Sequence, residues 1–379
     1  MSELRYGLPV ADLDHVLACT PGLWEELRGR NLFLTGGTGF FGRWLVGTFL
    51  EANERLGLGA SIFVLSRNPA GFEARAPELA RHPAVRLLAG DVRDFEGPEV
   101  QCSHVVHAAA DARVDADDAA RLRTFETIVG GTGRVLEFAR QSGAKKVLLA
   151  SSGAVYGAQP PELSHLSEDF TGATATESEQ AAYGEGKRAA ETLCMAFGRA
   201  HGLEAKIARC FAFVGPHLPL DEHFAIGNFL RDALGDGPIR VGGDGTPIRS
   251  YLYAADLAIW LWTLLFRGRP FHPYNVGSEE SRSISEWAHL VAEAAGGRPV
   301  TVAQRAKDEP RARYVPATRR ARESSGSEPR CWRAKRLAGR SNTSRAEGCH
   351  RAGAPPGNGF YRVPNLARIR GRNAPWRTL

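Results

Sequence analysis

The chain has 379 residues, of which 43% are hydrophobic and 24% charged, and its formal net charge is +6 at pH 7. A chain of this length can bury one large core or two. Residues 305–379 carry 19 Lys and Arg against 5 Asp and Glu, which leaves 29 against 37 in residues 1–304. Because the excess positive charge is confined to the C-terminal stretch, we expect no nucleic-acid partner for the folded part.

Neither export, nor a membrane span, nor a metal site is indicated. No run of eighteen apolar residues occurs, and the N-terminus MSELRYGLPVADLDH has acids where a signal peptide is basic and then apolar. The six cysteines show neither CxxC pairs nor metal-like spacing, so we expect incidental or buried thiols and no metal. These features predict a cytoplasmic protein without membrane contact.

The first predicted elements are a helical segment over residues 1–30 and a short strand followed by a glycine-rich turn. The segment 1–30 has apolar residues at roughly helical spacing, interrupted at Pro21. Residues 31–42 read NLFLTGGTGFFG, which predicts a buried strand centred on Phe33 and then a helix that begins near Arg43.

The spacing GxxGxxG in this turn predicts a site for the pyrophosphate of a dinucleotide. One glycine permits the tight reversal, another removes the Cβ that would exclude phosphate, and the helix N-terminus offers free N–H groups and positive potential. We place cofactor contacts at Gly36, Gly39, Phe40, Phe41 and Gly42. The alternative is a tight strand-to-helix turn without a ligand.

The next predicted strand, residues 60–66, ends where the adenosine ribose of such a cofactor would lie. An acidic residue there would accept a hydrogen bond from the 2′-hydroxyl of NAD, whereas Arg67 can pair with a 2′-phosphate. Ser66 and Arg67 are therefore predicted to contact an NAD(P) cofactor, with NADP favoured. The alternative is that Arg67 is only a solvated loop residue.

Two further predicted strands end in small residues close to this site. They are Val85–Ala89, which runs into Gly90-Asp91-Val92, and His104–His107, which runs into Ala108-Ala109-Ala110. Small residues at the end of a parallel strand let the backbone approach a ligand closely, so we place Ala108 and Ala109 in the cofactor site. Asp91 can accept a hydrogen bond from the adenine amino group; the alternative is that it caps the following turn.

A helix over residues 122–141 and a strand over residues 146–150 continue the alternation of strands and helices. This order predicts an α/β fold with a doubly wound parallel Rossmann sheet. We assign residues 31–205 to a dinucleotide-binding domain and residues 206–323 to a smaller C-terminal substrate-binding region that partly returns to the sheet.

Three residues beyond residue 150 can carry acid–base chemistry. Ser152 follows the strand, and Tyr183 and Lys187 lie one turn apart on the next helix. Because an ammonium stabilises phenolate, we expect Lys187 to lower the pKa of Tyr183 from about 10 and make it a general base. Tyr183 would take a hydroxyl proton as hydride leaves for the nicotinamide, Ser152 would bind the same oxygen, and Lys187 would also hold the nicotinamide ribose. Each motif alone is commonly structural; their order along the chain favours catalysis.

In combination these segments resemble the extended short-chain dehydrogenase/reductases, the nucleotide-sugar epimerase/dehydratase family. The resemblance covers roughly residues 30–290 and rests on TGGTGFFG, GDVRD, HAAA, SSGAVYG, YGEGK, RCFAFVGP and GDGTPIRSYLYAADLA. It implies a catalytic triad of Ser152, Tyr183 and Lys187, and adenine contacts from Asp91 and Val92. It also implies an NAD(P) cofactor, a nucleotide-diphosphate sugar as substrate, and homodimers paired through two helices per subunit.

The region 206–323 contains two predicted substrate-binding residues. Asn228 lies in a looser stretch that we expect to cover the substrate. The sequence around Asp244-Gly245 predicts a strand-turn-strand unit, and the resemblance implies that Arg249, which follows it, grips the substrate diphosphate. A surface arginine without a ligand is the alternative. Further on, Ser283 and Glu286 have the spacing of a helix capping box.

The residues after Ser152 bear on the type of reaction. The family's sugar dehydratases and decarboxylases place carboxylates there, whereas this chain has Gly153 and Ala154, which cannot move a proton. We therefore expect an epimerase that transiently oxidises a sugar hydroxyl, at C4, to a ketone. The alternatives are a 4,6-dehydratase or 4-ketoreductase of the same family and, from another class, a non-catalytic NADP-sensing regulator.

Residues 324–379 differ in composition from the rest of the chain. They are rich in Arg, Gly, Ser and Pro and have neither helical nor strand periodicity. Such a composition predicts a disordered basic tail.

Overall fold

The computed structural model describes residues 3–109, 117–221, 224–306 and 310–324, so the predicted disordered tail lies outside the described residues apart from Ser324. The elements up to residue 201 are β1 (Leu4–Arg5), β2 (Leu8–Pro9), α1 (Val10–Cys19), β3 (Asn31–Thr35), α2 (Phe40–Arg55), β4 (Ser61–Ser66), α3 (Pro69–Arg75), α4 (Pro77–Ala80), β5 (Val85–Ala89), β6 (His104–His107), α5 (Asp118–Gln141), β7 (Lys146–Ser152) and α6 (Ala181–His201). Those that follow are β8 (Glu204–Cys210), β9 (Phe213–Val214), α7 (Ala225–Leu234), β10 (Ile239–Val241), β11 (Ile248–Arg249), β12 (Leu252–Tyr253), α8 (Ala254–Arg267), β13 (Pro273–Val276), β14 (Arg282–Ser283), α9 (Ile284–Ala294), β15 (Val300–Val302), β16 (Arg313–Tyr314) and α10 (Arg319–Ser324). Short 3₁₀ helices span Trp24–Leu27 and Gly153–Tyr156.

A seven-stranded parallel sheet in the order β13-β8-β7-β6-β3-β4-β5 lies at the centre of the fold. Successive side chains of a strand point to opposite faces, and both faces are covered here. Leu32 and Leu34 of β3 join the core that contains α2 and α8, whereas Phe33 joins the core that contains α5 and α6. The doubly wound α/β fold expected from the sequence is thereby confirmed.

The strand order reverses direction between β3 and β6. The chain runs from β3 to β4 and β5 on one side, and from β6 to β7, β8 and β13 on the other. In an open parallel sheet, ligands bind in the crevice at such a switch point, beyond the carboxyl ends of the strands. The glycine turn after β3 and the residues after β6 and β7 all lie at this edge.

The N-terminal segment differs from the helical prediction, because it begins with a β-hairpin. The hairpin turns at Tyr6 and Gly7, both at positive φ, and α1 follows it. It is fixed to α2 by an ion pair of 3.1 Å between Arg5 and the buried Glu51. A Cβ on Gly47 of α2 would lie 2.7 Å from Leu8, so this glycine makes room for the hairpin.

The region after residue 210 forms small additional sheets. The predicted strand-turn-strand unit around Asp244-Gly245 is present as β10 and β11, but the two strands do not pair with each other: β10 pairs with β15, and β11 pairs with β14 and β16. The predicted capping box of α9 is confirmed, since Glu286 N donates to Ser283 Oγ (3.1 Å) and Ser283 N donates to Glu286 Oε2 (2.7 Å). Within the described ranges, no helix combines the length and the hydropathy needed to cross a bilayer.

Candidate active site

The turn between β3 and α2 is shaped by glycines that the protein's own packing requires. Gly36 has a φ of +74°, and a Cβ there would lie 2.6 Å from the carbonyl carbon and oxygen of Ala108. A Cβ on Gly42 would lie 2.2 Å from the Cα of Gly37. Helix α2 begins at Phe40, earlier than the predicted start near Arg43, because the turn closes within residues 36–39.

Gly39, the N-cap of α2, is the glycine that faces open space. It is exposed, and among the described residues a Cβ there would have only the Gly36 carbonyl oxygen, at 3.6 Å, within 4 Å. The first N–H groups of α2, from Phe40 and Phe41, have no acceptor within the helix, and the helix dipole favours an anion beside them. The turn therefore has the room and the donors that a dinucleotide pyrophosphate requires.

The side chains of Phe40 and Phe41 point toward the C-terminal region. The Phe41 ring meets that of Phe213 edge-on at 5.1 Å, and Phe40 packs against the core formed by α7, β10 and α9. For Phe40 and Phe41 it is therefore the backbone N–H groups, and not the rings, that are available to a cofactor.

At the end of β4, Ser66 and Arg67 are placed differently. Ser66 is buried, and its Oγ accepts a hydrogen bond from Asn68 N at 3.2 Å, so it shapes the turn. Arg67 is exposed and makes neither a hydrogen bond nor an ion pair with the described residues. Its guanidinium is therefore available to a ligand.

Asp91 is held by a neighbouring arginine. Arg93 donates from Nε (2.8 Å) and Nη2 (3.2 Å) to the two carboxylate oxygens, and Arg93 N donates at 3.0 Å. These bonds, with the more distant charge of Arg67, lower the pKa of Asp91. Asp91 thus caps the following turn, and its contact with adenine stays a prediction. Val92 is buried against Gly131 of α5.

The proposed catalytic residues converge at the carboxyl end of β7. Ser152 is the last residue of the strand, and its Oγ accepts a hydrogen bond from Ala154 N at 3.1 Å. Lys187 is buried and donates to the Ala150 carbonyl oxygen at 2.8 Å, and its Nζ lies 6.0 Å from the centre of the Tyr183 ring. Ser152 lies near enough to Tyr183 to act on its phenol, since it opposes the rise in the pKa of Tyr183. The three side chains that the motifs identified therefore do meet.

Burial sets the protonation states at this site. It raises the pKa of Tyr183 to about 12, with hydrogen bonding to Ser152 opposing the rise, and it lowers the pKa of Lys187 to about 8. The expectation that Lys187 lowers the pKa of Tyr183 below 10 is therefore wrong for this structure. The physical reason is that loss of water disfavours both charged forms, while the ammonium is directed at the Ala150 carbonyl. At neutral pH Tyr183 is a neutral phenol that can donate a proton.

A buried polar network supports these residues from behind. Glu191, one turn beyond Lys187 on α6, accepts hydrogen bonds from Ser151 Oγ (2.5 Å) and Arg209 Nη2 (2.7 Å). Arg209 also donates to the Tyr156 hydroxyl at 2.9 Å. The network joins β7, α6 and β8 and so fixes the relative positions of Ser152 and Lys187.

Tyr314 is a residue of this site that the sequence analysis missed. It lies on β16, opposite Arg249 of β11, and its ring packs at 4.6 Å from that of Phe211. A Cβ built on Gly153 would lie 2.6 Å from the Tyr314 hydroxyl. Burial raises the pKa of Tyr314, and hydrogen bonding to Ser152 opposes this rise. No local motif marks Tyr314, since only the folded sheet brings β16 to the end of β7.

The two predicted substrate residues occupy different surroundings. Asn228 lines an open cavity of about 260 Å³ between α7, β10 and the Asp244-Gly245 turn. Arg249 is not among the lining residues; its Nη1 donates to the Ile248 carbonyl oxygen at 2.9 Å, and burial lowers its pKa. The described residues contain no grouping of three or more His, Cys, Asp or Glu arranged for a metal ion.

Comparison with known proteins shows which family and which enzymes this chain resembles. The sequence model of the NAD dependent epimerase/dehydratase family matches residues 32–277. UDP-glucuronic acid decarboxylase 5 of Arabidopsis thaliana is 30% identical over 300 residues, which cover 79% of this chain and 84% of that protein. UDP-glucuronic acid decarboxylase 1 of Xenopus tropicalis is 29% identical over 306 residues, covering 80% and 70%.

Solved structures of two enzymes share the fold over most of their length. The dTDP-glucose 4,6-dehydratase DesIV of Streptomyces venezuelae, with NAD bound, superposes with a TM-score of 0.66 at 25% identity, covering 79% of this chain and 92% of that one. The UDP-glucose 4-epimerase of Thermus thermophilus, in complex with NAD, gives a TM-score of 0.63 at 26% identity, with 79% and 94% covered. Since the family match spans more than half of the chain, the protein belongs to the NAD-dependent epimerase/dehydratase family of enzymes.

Proposed function

We propose that this enzyme is an NAD(P)-dependent nucleotide-sugar epimerase that oxidises a sugar hydroxyl, at C4, to a ketone and then reduces it from the other face. The observation that carries the proposal is the meeting of Ser152, Tyr183 and Lys187 at the crevice beside a glycine turn with room for a pyrophosphate. Related enzymes are named for UDP-glucose and dTDP-glucose, which supports a nucleotide sugar as substrate. We assign cofactor binding to residues 31–205 and substrate binding to residues 206–323.

Bound NAD(P), held by Gly36, Gly39 and Gly42, would supply a hydride acceptor and donor. Tyr183 first releases its own proton to water and then, as phenolate, takes the proton of the substrate hydroxyl, while Ser152 hydrogen-bonds the same oxygen. The Ser152 hydroxyl and the Lys187 ammonium are the neighbouring groups that stabilise the phenolate when Tyr183 gives up its proton.

The residues after Ser152 favour hydride transfer without elimination. Gly153 and Ala154 carry no group that removes a proton from the sugar carbon or protonates a leaving hydroxyl. The ketone formed at C4 is therefore reduced by return of the hydride, and Tyr183, by then protonated, donates the proton back to the C4 oxygen.

A second candidate, decarboxylation of a nucleotide-linked uronic acid, is favoured by the relatives named UDP-glucuronic acid decarboxylase. Oxidation at C4 places a ketone β to the C5 carboxyl group, and a β-keto acid loses carbon dioxide without a general base. Because the loss of carbon dioxide itself needs no side chain at positions 153 and 154, Gly153 and Ala154 count against decarboxylation less than against dehydration.

Mass spectrometry of the products distinguishes these reactions. The protein is incubated separately with UDP-glucose, dTDP-glucose and UDP-glucuronic acid, each with NAD or NADP. An epimerase gives a product of unchanged mass and a different chromatographic retention time. A decarboxylase gives a product that has lost carbon dioxide, a dehydratase one that has lost water, and a reductase one that has gained two hydrogens. A product of altered mass with every substrate that reacts would contradict the epimerase assignment.

Replacement of Tyr183 by Phe tests the catalytic assignment. We expect turnover to fall by about 10²–10⁴-fold, the usual contribution of a positioned acid–base group, while the cofactor still binds. Tyr274→Phe is the matched control, because the Tyr274 hydroxyl accepts from Arg269 N at 2.8 Å in a buried site outside the crevice. Undiminished turnover by the Tyr183 variant would remove this residue from the mechanism.

NADP is the proposed preference because Arg67 is exposed and free of partners among the described residues at the end of β4. The adjacent Asp91 carboxylate is neutralised by Arg93, so it repels a 2′-phosphate less than an unpaired acid would.

A homodimer is proposed through α5 and α6, which pack along each other. Leu122 and Phe125, three residues apart on α5, are 58% and 36% exposed. Two large apolar side chains that are partly exposed on one helix are typical of a subunit contact.

A further inference from the structure

A buried histidine at the end of β6 lies at the switch point of the sheet, beside the glycine turn. His107 is 4% exposed and pairs in register with Thr35 of β3. Burial, and to a lesser extent the charge of Lys187, lowers the pKa of its imidazole to about 3, so the ring is neutral at physiological pH. A neutral imidazole has one nitrogen that donates a hydrogen bond and one that accepts, and the neighbouring groups determine which is which.

The partners of the His107 ring determine its tautomer. Nε2 lies 3.2 Å from Oγ1 of Thr132 on α5, and that hydroxyl donates its single proton to the Ile128 carbonyl oxygen at 2.6 Å. Toward the ring Thr132 therefore accepts, so His107 carries its proton on Nε2. Nδ1 is then the acceptor, and it receives the proton of the Thr35 hydroxyl at a distance of 2.7 Å.

The Thr35 hydroxyl transmits this direction to the backbone. Because its proton is used by His107, its lone pairs face the other way, and the oxygen accepts from Ala109 N at 3.1 Å. Four hydrogen bonds thus run in one sense, from the Ala109 N–H group to the Ile128 carbonyl oxygen. Bonds aligned in such a series polarise and strengthen one another. Thr35 and Thr132 are both buried, so the series is shielded from water.

The peptide at the start of this series is the one on which the glycine turn packs. A Cβ on Gly36 would lie 2.6 Å from the carbonyl carbon and oxygen of Ala108 and 2.7 Å from Ala109 N. Gly36 therefore lies directly against the peptide that joins Ala108 to Ala109. The Ala108 N–H group in turn donates to the Thr35 carbonyl oxygen at 3.2 Å. Rotation of the Ala108–Ala109 peptide would therefore change the shape of the crevice between β3 and β6.

We propose that His107 is a positioning residue for the cofactor crevice: its imidazole, with the proton on Nε2, orients the Thr35 hydroxyl and thereby holds the Ala108–Ala109 peptide against the glycine turn. The inference rests on the proposed function in one respect, the assignment of Ala108 and Ala109 to the cofactor site. Without the imidazole the Thr35 proton loses its acceptor, the hydroxyl rotates, and the Ala109 N–H group loses an oriented partner. The cofactor then has to order this wall of the crevice when it binds, which lowers its affinity.

A second buried histidine on the same strand provides a matched control. His104 is the first residue of β6 and is also 4% exposed, and its Nδ1 lies 2.8 Å from Ser103 Oγ. It lies at the amino end of the strand, whereas the crevice is at the carboxyl end. We expect His104→Leu to lower the free energy of unfolding and to leave the affinity for the cofactor unchanged.

Calorimetry of NADP and NAD binding to the full chain measures the effect of His107. His107→Leu removes both ring nitrogens, and we expect the Kd to rise by about tenfold, roughly the effect of one lost hydrogen bond. Thr35→Val should give a similar rise. The two substitutions combined should weaken binding no more than either alone, because they interrupt the same series of hydrogen bonds.

Two amide side chains separate the roles of the two nitrogens. His107→Asn places an acceptor oxygen near the position of Nδ1, so the Kd should stay within about threefold of the wild-type value. His107→Gln extends its amide toward Thr132 and leaves the Thr35 hydroxyl without its acceptor, so it should lose affinity as His107→Leu does. A side chain that served only to fill space would not produce this difference, and loss of affinity by Asn with retention by Gln would overturn the inference.

The tautomer is measured without any ligand. The spectrum of the wild type labelled with ¹⁵N in histidine is compared with that of His107→Asn, and the signals missing from the variant identify the His107 ring. The nitrogen shifts distinguish the two neutral forms from each other and from the charged form. We expect the neutral form with the proton on Nε2 from about pH 5 to about pH 8. A proton on Nδ1, or a charged ring, in this range overturns the inference even if His107→Leu does not fold.

Unchanged Kd values for His107→Leu would also overturn the inference, as would an equal loss of affinity in His104→Leu, which would indicate a general effect of destabilisation. A wild type that binds neither NADP nor NAD would contradict the proposed function and this inference together. Binding of the cofactor without epimerisation of any sugar would contradict the proposed function alone, since the calorimetry and the ring spectra need no sugar.

Discussion

Replacing Lys187 by Met tests how strongly the fold disfavours the charge at the centre of its site. Lys187 is 3% exposed, and burial lowers its pKa from 10.5 to about 8. This difference of roughly 2.5 pH units corresponds to about 3 kcal/mol, since each unit is worth about 1.4 kcal/mol. Because the folded state binds the proton more weakly than the unfolded state, protonation of Lys187 favours unfolding.

The pH dependence follows from the two pKa values. Below pH 8 the lysine is charged in both states, and the full penalty is present; it decreases between pH 8 and pH 10.5 and is absent at higher pH. We therefore expect the free energy of unfolding of the wild type to rise by about 3 kcal/mol relative to Lys187→Met from about pH 7 to about pH 11. Loss of the hydrogen bond to Ala150 adds an offset that does not depend on pH.

Urea denaturation of both proteins across this pH range measures the effect, and the difference between them cancels the titration of other groups. Lys145→Met is the matched control, because it removes a lysine whose side chain is exposed to water in the folded protein. A constant difference between the wild type and Lys187→Met across the range would refute the reasoning, since it would mean that the folded protein does not disfavour the ammonium.

Three further predictions concern residues outside the proposed catalytic trio. Arg67→Ser should weaken NADP binding by about tenfold or more, because one charge-assisted hydrogen bond is lost, and should change NAD binding little. Equal losses of affinity for NADP and NAD, measured by calorimetry, would show that Arg67 does not determine the choice of cofactor. Leu122→Asp should convert a dimer to monomers in analytical ultracentrifugation, and a wild type that is already monomeric would contradict the proposed interface. Ser283→Ala should lower the free energy of unfolding by about 1 kcal/mol through loss of the α9 cap while turnover is retained, and an unchanged urea midpoint would count against the cap.

The parallel sheet was predictable because its signals are local. The strands Val85–Ala89 and His104–His107 have the bounds that the sequence indicated, and the capping box of α9 depends on two residues three apart. Short apolar runs separated by turn residues, and apolar residues at helical spacing, can be recognised in a sequence without knowing which distant residues they contact.

The features that the sequence did not reveal depend on long-range pairing. An Asp-Gly turn favours a hairpin locally, yet β10 and β11 gain partners in β15, β14 and β16, which lie later in the chain. Tyr314 reaches the space beside Gly153 for the same reason, since β16 is placed by β11. The glycine after Ser152 was visible in the sequence, but the phenol of Tyr314 that fills the space beside it was not.

The pKa of Tyr183 shows how burial acts in two directions at this site. A spacing of four residues correctly places Lys187 one turn away, but the same loss of water that raises the pKa of Tyr183 lowers that of Lys187. The nearby Glu191 carboxylate is already bound by Arg209 and Ser151, so it compensates the ammonium only in part. In a medium of low dielectric constant an uncompensated cation attracts a developing phenolate strongly. Ionising the two groups together therefore costs less than ionising each alone, which supports the proposal that Tyr183 takes a proton from the substrate.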